Sequence, residues 1–182
     1  MNVWPELDAR FREAARREGL VDIRYDIFDS LVGELLIAAT ERGLARIHFD
    51  PEGQEDELAR IFGSRVLRSP LDEVRRELDE YFDGKRRDFD LPLDLRVAAF
   101  NAEVLEELAR VPYGMTTTYG TLAAKVGHPR AARAVGTVMN RNPIPIVLPC
   151  HRVVGANGSL TGYAGGLDRK LQLLTLEGAI LG

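Results

Sequence analysis

Residues 85–96, KRRDFDLPLDLR, separate two stretches of chain with different hydrophobic periods. This link is rich in Asp and holds Pro92, and a proline continues neither a helix nor the middle of a sheet. The residues on its two sides must therefore build their own elements. This places a domain boundary near residue 90, with an N-terminal unit over 1–90 and a C-terminal unit over 91–182. A chain of 182 residues is long enough to bury a real core on either plan.

The N-terminal unit reads as α/β (α+β). Residues 5–18 have helical spacing, with Leu7, Phe11, Ala14 and Ala15 on one face. DIRYDIFDSLVGELLIAATERGLARIHFD then reads as three strands of a small antiparallel sheet, with turns at Asp29-Ser30 and Glu41-Arg42-Gly43. SPLDEVRRELDEYFDG reads as a helix with Ser69 as its N-cap and Pro70 in the first turn. Leu71, Val74, Leu78 and Tyr81 or Phe82 form its apolar face, and Gly84 ends it.

Beyond the link the pattern is mostly helical. AAFNAEVLEELARV puts Phe100, Val104, Leu105 and Leu108 on one face and stops at Pro112. TTTYGTLAAKVGHPRAARAVGTVMNRNP holds two short helices joined at Gly127-His128-Pro129, a helix-turn-helix pattern. Ala131, Ala132, Ala134 and Gly136 make the second helix slim. Its backbone could approach another molecule closely, or it could pack tightly in a core, and spacing does not choose between them.

Charge is distributed unevenly. The net charge of −4 argues against a polyanion partner on average, yet residues 1–91 hold 22 of the acids and residues 92–182 only 6. From Leu108 to Leu167 no Asp or Glu occurs, while Arg110, Lys125, Arg130, Arg133, Arg141 and Arg152 fall inside. An acid-free basic surface suits a phosphate backbone; an apolar core segment poor in charge of either sign is the plain alternative. The N-terminus lacks the apolar core of a signal peptide, and no stretch reaches membrane-spanning length, so the expected location is the cytoplasm.

The chain has one cysteine, in NPIPIVLPCHRVVG. It can form no internal disulfide, and with three histidines (His48, His128, His151) a zinc cluster is not expected. A lone cysteine is commonly a small buried hydrophobe. Here a proline-bounded segment places His151 and Arg152 directly after Cys150, and imidazole and cationic neighbours favour the nucleophilic thiolate. A histidine base needs a partner to fix its tautomer. Glu177 is a candidate, although spacing alone does not select it.

PCHRV, preceded by NPIPIVL and followed by GYAGGLDRKLQLLTLEG, resembles the O6-alkylguanine-DNA alkyltransferases, and the resemblance reaches back through VPYGMTTTYGTLAAKVGHPRAARAVG. It implies an irreversible, single-turnover transfer of the alkyl group from O6-alkylguanine, or O4-alkylthymine, in duplex DNA to Cys150. By the same resemblance His151 deprotonates the thiol through a water, Glu177 holds His151, and Tyr119 donates to the departing guanine. Val153 and the Cys150 carbonyl read the exocyclic amine, amides near Tyr163 and Ala164 face O6, and Asn142 braces the turn carrying the cysteine. The second helix enters the minor groove with Ala131 and Ala132 close to the DNA, Arg133 fills the space of the flipped base, and Gly120, His128 and Ala156 lie against the duplex. No cofactor and no metal are implied, since the cysteines that bind zinc in some relatives are absent, and the protein is expected to act as a monomer. The tryptophan frequent in the helix after the link is also missing, and Ala164 stands where relatives carry Ser or a large ring. Two rival functions differ in class. A non-catalytic alkylation-damage sensor would dispense with the cysteine, and a cysteine hydrolase would turn over repeatedly.

Overall fold

The computed structural model describes residues 4–180. An N-terminal helix, α1 (Trp4–Arg17), precedes strands β1 (Ile23–Ser30), β2 (Gly33–Thr40) and β3 (Gly43–Phe49). Helix α2 (Gln54–Phe62), strand β4 (Val66–Arg68) and helix α3 (Asp72–Phe82) complete this half. Helix α1 forms where its period requires, but Leu7 and Phe11 are exposed rather than packed.

The sheet order is β3-β2-β1-β4. The three expected strands pair antiparallel, but β4 lies parallel to β1, with Ile23 opposite Val66, so the sheet is mixed. Three residues are too few to show an alternating pattern, which is why sequence alone does not reveal this strand. The first hairpin turn falls at residues 31–32, two positions after Asp29-Ser30. Here Ser30 still pairs with Gly33 and its hydroxyl donates to the Gly33 carbonyl at 2.6 Å.

Both faces of β2 are buried, and its period of two divides the core. Leu36 and Ala38 pack with Ile23, Leu58 and Phe62 under α2. Leu35, Ile37 and Ala39 face the larger cluster, which takes in Leu71, Val74, Leu78 and Tyr81 at and along α3. Helix α3 begins at Asp72, and its N-cap is Leu71 with no side-chain cap, so Ser69 does not cap it. Ser69 is engaged otherwise: its N–H donates to the Tyr25 carbonyl at 2.9 Å, extending the strand pairing.

The charged link lies beside β3. Leu44 donates to the Pro92 carbonyl at 2.8 Å, and the Asp94 N–H donates to Leu44 at 2.9 Å. Gly43, at φ 137°, permits this approach: a Cβ there would stand 2.1 Å from the Pro92 oxygen.

The second half contains α4 (Ala99–Ala109), β5 (Thr117–Thr118), α5 (Tyr119–Lys125), α6 (Ala132–Asn140), a 3₁₀ turn (Cys150–Arg152), β6 (Val153–Val154) and α7 (Leu167–Leu176). Its buried Val104, Leu105, Leu122, Val135, Ile146 and Leu173 belong to the same cluster as the α3 face. Helices α5 and α6 are joined by residues 126–131. Pro129 belongs to this connection, and α6 starts three residues later than that proline. Strands β5 and β6 pair in parallel, Thr117 with Val153 and Thr118 with Val154, which brings Tyr119 beside the strand that leaves the cysteine turn. Among the described residues no helix is long and apolar enough to cross a membrane.

Candidate functional site

The segment 142–150 is held by its own hydrogen bonds. Asn142 Nδ2 donates to the Leu148 carbonyl at 2.8 Å, its Oδ1 accepts from the Ile144 N–H at 3.1 Å, and Leu148 donates to Ile144 at 2.9 Å. Within this loop Ile146 adopts φ 77°, a region that β-branched residues avoid. Strain of that kind costs about 1–3 kcal/mol and persists only where the surroundings enforce it; Ile146 is fully buried. The segment thus presents Cys150 at the first position of a 3₁₀ turn, 4% exposed.

The following residues converge on one carboxylate. His151 Nε2 lies 2.8 Å from Glu177 Oε1, and both side chains are buried. Arg152 donates through Nε to Oε2 at 2.8 Å, through Nη2 to Oε1 at 2.8 Å, and through Nη1 to the Val111 carbonyl. Tyr81 donates its O–H to Oε1 at 2.7 Å, and the Gly114 N–H donates to Oε2 at 3.3 Å. Burial opposes ionisation of Glu177, but the hydrogen bonds from His151 and Arg152 and their charges outweigh it and hold the carboxyl at about 2. A carboxylate can only accept, so His151 carries its proton on Nε2. Its Nδ1 is buried and has no partner among the described residues, leaving a free lone pair. Burial, against the pull of Glu177, lowers the His151 pKa, so the ring is a neutral base near pH 7.

The arginine beside the cysteine does not activate it directly, as adjacency suggested. Arg152 turns to Glu177 and Val111 instead, and burial pushes the Cys150 thiol up to about 11 despite a bond from Asn142. The resting group is a thiol, and a base must take its proton.

Tyr119, at the start of α5, is half-buried, and its hydroxyl accepts from Thr161 Oγ1 at 3.2 Å. Its own proton is therefore free for another acceptor. It lines a groove of about 490 Å³ with Ala132, Arg133, Gly136, Thr161 and Gly162. Arg133 is exposed and makes no ion pair among the described residues. Ala131 and Ala132 are half-buried, Gly120 and Ala156 are exposed, and exposed His128 packs edge-on to Phe100 with ring centres 5.6 Å apart. Val153 is buried, and its carbonyl accepts from Lys170. Tyr163 packs against Phe49, and its hydroxyl is buried without a partner among the described residues. Ala164 is exposed and lines a separate cleft of about 410 Å³ with His48, Phe49, Asn142 and Pro145.

Two residues of this region escaped the sequence reading. Lys170 is fully buried, and Nζ donates to the carbonyls of Val153 at 2.6 Å and Thr161 at 2.7 Å, joining the two walls around Tyr119. Its signal was present: Lys170 shares the buried face of α7 with Leu173 and Leu174, an unusual place for an ammonium. Tyr81 carried no such signal, because a tyrosine on an apolar helix face looks like core.

Two family models cover most of the chain. They are the 6-O-methylguanine DNA methyltransferase ribonuclease-like domain at residues 23–95 and the 6-O-methylguanine DNA methyltransferase DNA binding domain at 99–179. A methylated-DNA–protein-cysteine methyltransferase of Methanosarcina acetivorans is 44% identical over 157 residues, covering 85% of this chain and 98% of the relative. The constitutive enzyme of that name from Bacillus subtilis is 40% identical over 155 residues, 84% of this chain and 94% of its own. The crystal structure of Mycobacterium tuberculosis OGT in complex with DNA superposes with a TM-score of 0.77 at 38% identity, covering 86% of this chain and 93% of that one.

Proposed function

Since this chain belongs to the 6-O-methylguanine DNA methyltransferase family, we propose that it repairs O6-alkylguanine in duplex DNA by moving the alkyl group onto its own Cys150, once per molecule. The observation that carries this reading is the buried Cys150 thiol next to a His151–Glu177 pair whose outer nitrogen is unengaged.

His151 Nδ1 takes the thiol proton through one water, and Glu177, held in place by Arg152, stabilises the resulting imidazolium. The thiolate attacks the O6-bound carbon; a carbon–sulfur bond forms, the carbon–oxygen bond breaks, and the electron pair passes to the guanine. Tyr119 supplies a hydrogen bond or proton to the ring nitrogen of that anion. The thioether has no route back to a thiol, so a molecule acts once. Val153, the backbone at Tyr163 and Ala164, and the turn braced by Asn142 form the purine slot. The fixed Asn142 bonds and the Lys170 staple on Val153 support this assignment.

A base in a duplex is out of reach of a buried thiol, so the nucleotide is flipped out from the minor groove side. The small residues of α6 allow close approach, and Ala131, Ala132, Gly120, His128 and Ala156 lie against the DNA. Arg133, exposed at the groove lip and free of ion pairs among the described residues, fills the gap in the stack. The protein works as a monomer of two units that divide near residue 90, a division supported by the break between the two family matches. The intact cysteine argues against a mere damage sensor.

Intact mass spectrometry after incubation with a duplex bearing O6-methylguanine tests this. One methyl mass should appear on the peptide containing Cys150, and repair should stop at one equivalent; continued turnover excludes the mechanism.

A further inference from the structure

We propose that Tyr81 is a fourth member of the thiol-activating relay: a positioning residue by which helix α3 sets the orientation of Glu177 and the basicity of His151. The proposal rests on the roles given above to Cys150, His151 and Glu177.

Tyr81 stands 96 positions from Glu177 in sequence, and its side chain is fully buried. Its O–H donates at 2.7 Å to Oε1, the same oxygen that faces His151 at 2.8 Å. The aim of that hydroxyl is fixed. Phe82 and Phe89 pack on the Tyr81 ring with centres 5.3 Å away, and Tyr113 closes edge-on at 6.1 Å. The Tyr113 hydroxyl in turn bonds the Leu176 carbonyl, and the next N–H, of Gly114, reaches Glu177 Oε2. Carboxylate and phenol are thus seated in one rigid aromatic frame.

Three donors share the charge on Oε1: Tyr81, His151 and Arg152. Each lowers the affinity of that oxygen for a proton, and what one donor draws is unavailable to the others. Burial and the charges of Arg152 and Lys170 press His151 toward neutrality, Glu177 pulls the other way, and the Cys150 thiol lies next in the chain. Tyr113 and Tyr163 also feel the charge of Glu177. Of the two donors that share Oε1 with His151, Arg152 is charged, and Tyr81 can lose its bond without a change of net charge. Burial and the adjacent carboxylate hold its phenol protonated far above the ordinary tyrosine range, so it is always a donor.

Removing the O–H leaves more charge on Oε1 for His151, which makes the imidazole easier to protonate. In Tyr81→Phe the acid limb of the transfer rate should move up by roughly 0.5–1 pH unit, with a ~3–10-fold slower reaction on the acidic side. Fluorotyrosine placed at position 81 is a stronger donor of the same shape and should move the limb down.

The full chain would be tested in single-turnover reactions with the free base O6-benzylguanine from pH 5 to 9, alongside histidine NMR and thermal melts. With three histidines in the chain, the His151 resonances are assignable by substitution. Opposite displacements of the acid limb and of the His151 titration in the two variants support the proposal, even if Tyr81→Phe lowers the melting temperature. Unmoved limbs in both variants, with any rate loss explained by unfolded protein, overturn it. Glu177→Gln separates the layers: a slowed Glu177→Gln with unmoved Tyr81 variants removes Tyr81 alone, whereas wild-type rates in Glu177→Gln remove the underlying assignment.

Discussion

Replacing Glu177 by Gln keeps the volume of the side chain and exchanges one acceptor oxygen for a donor NH₂. The carboxylate receives five bonds, from Tyr81, His151, Arg152 Nε, Arg152 Nη2 and the Gly114 N–H. An amide in either flip leaves at least two of these donors facing a donor, one of them on a buried guanidinium. Each buried orphan costs about 1–3 kcal/mol, more when charged. Breaking a buried ion pair from one side typically costs about 3–5 kcal/mol, so a loss of ~3–5 kcal/mol is expected. In guanidinium chloride, with m of about 5 kcal/mol/M, the midpoint should fall by ~0.6–1 M. The pH dependence follows from the depressed carboxyl. Glu177 sits at about 2 in the folded protein against an ordinary 4.5, so its contribution is complete above 4.5 and is lost as pH falls toward 2. The gap between wild type and Glu177→Gln should therefore be full at pH 7 and narrow below pH 4.5. Adding Arg152→Met removes the stranded cation, and the double variant should be less destabilised than the two single losses added together. A loss below ~1 kcal/mol at pH 7, or strict additivity with Arg152→Met, would refute the reasoning.

Arg133→Ala should slow repair of a methylated duplex strongly and reaction with free O6-benzylguanine little, because only the duplex requires extrusion; equal losses would mean that Arg133 is structural. Cys150, pushed by burial to about 11, should react slowly with iodoacetamide at pH 7.5 and progressively faster toward pH 11. A thiol titrating below pH 8 in that assay would contradict the burial argument. Gly43→Ala would set a Cβ 2.1 Å from the Pro92 oxygen at φ 137°, so the link must lift from β3. A cost of at least ~2 kcal/mol and a melting temperature lower by ~4–8 °C are expected, and an unchanged melt would show that the link yields freely.

The run from Pro149 to Val153 and the apolar periods of α3 and α4 lie within short windows, and residues a few positions apart suffice to define them. A cysteine beside a histidine, a slim second helix and a stretch without acids are likewise properties of local composition, legible before any folding. Glu177 is a candidate from the residues, but only the resemblance selects it, because no spacing connects residue 151 to residue 177. Strand β4 gave no period to read, and the first hairpin turn moved because the backbone pairing of Ser30 with Gly33, not turn propensity, fixed its position. Packing alone decided the partners. Arg152 looked like a cation for the thiol, but the 3₁₀ turn directs it at Glu177 and Val111. Tyr81 looked like core, but the common cluster of α3 with the second half carries its hydroxyl onto a carboxylate 96 positions away. A buried donor must find an acceptor somewhere, and which one it meets depends on how distant surfaces close on each other rather than on its neighbours in the chain.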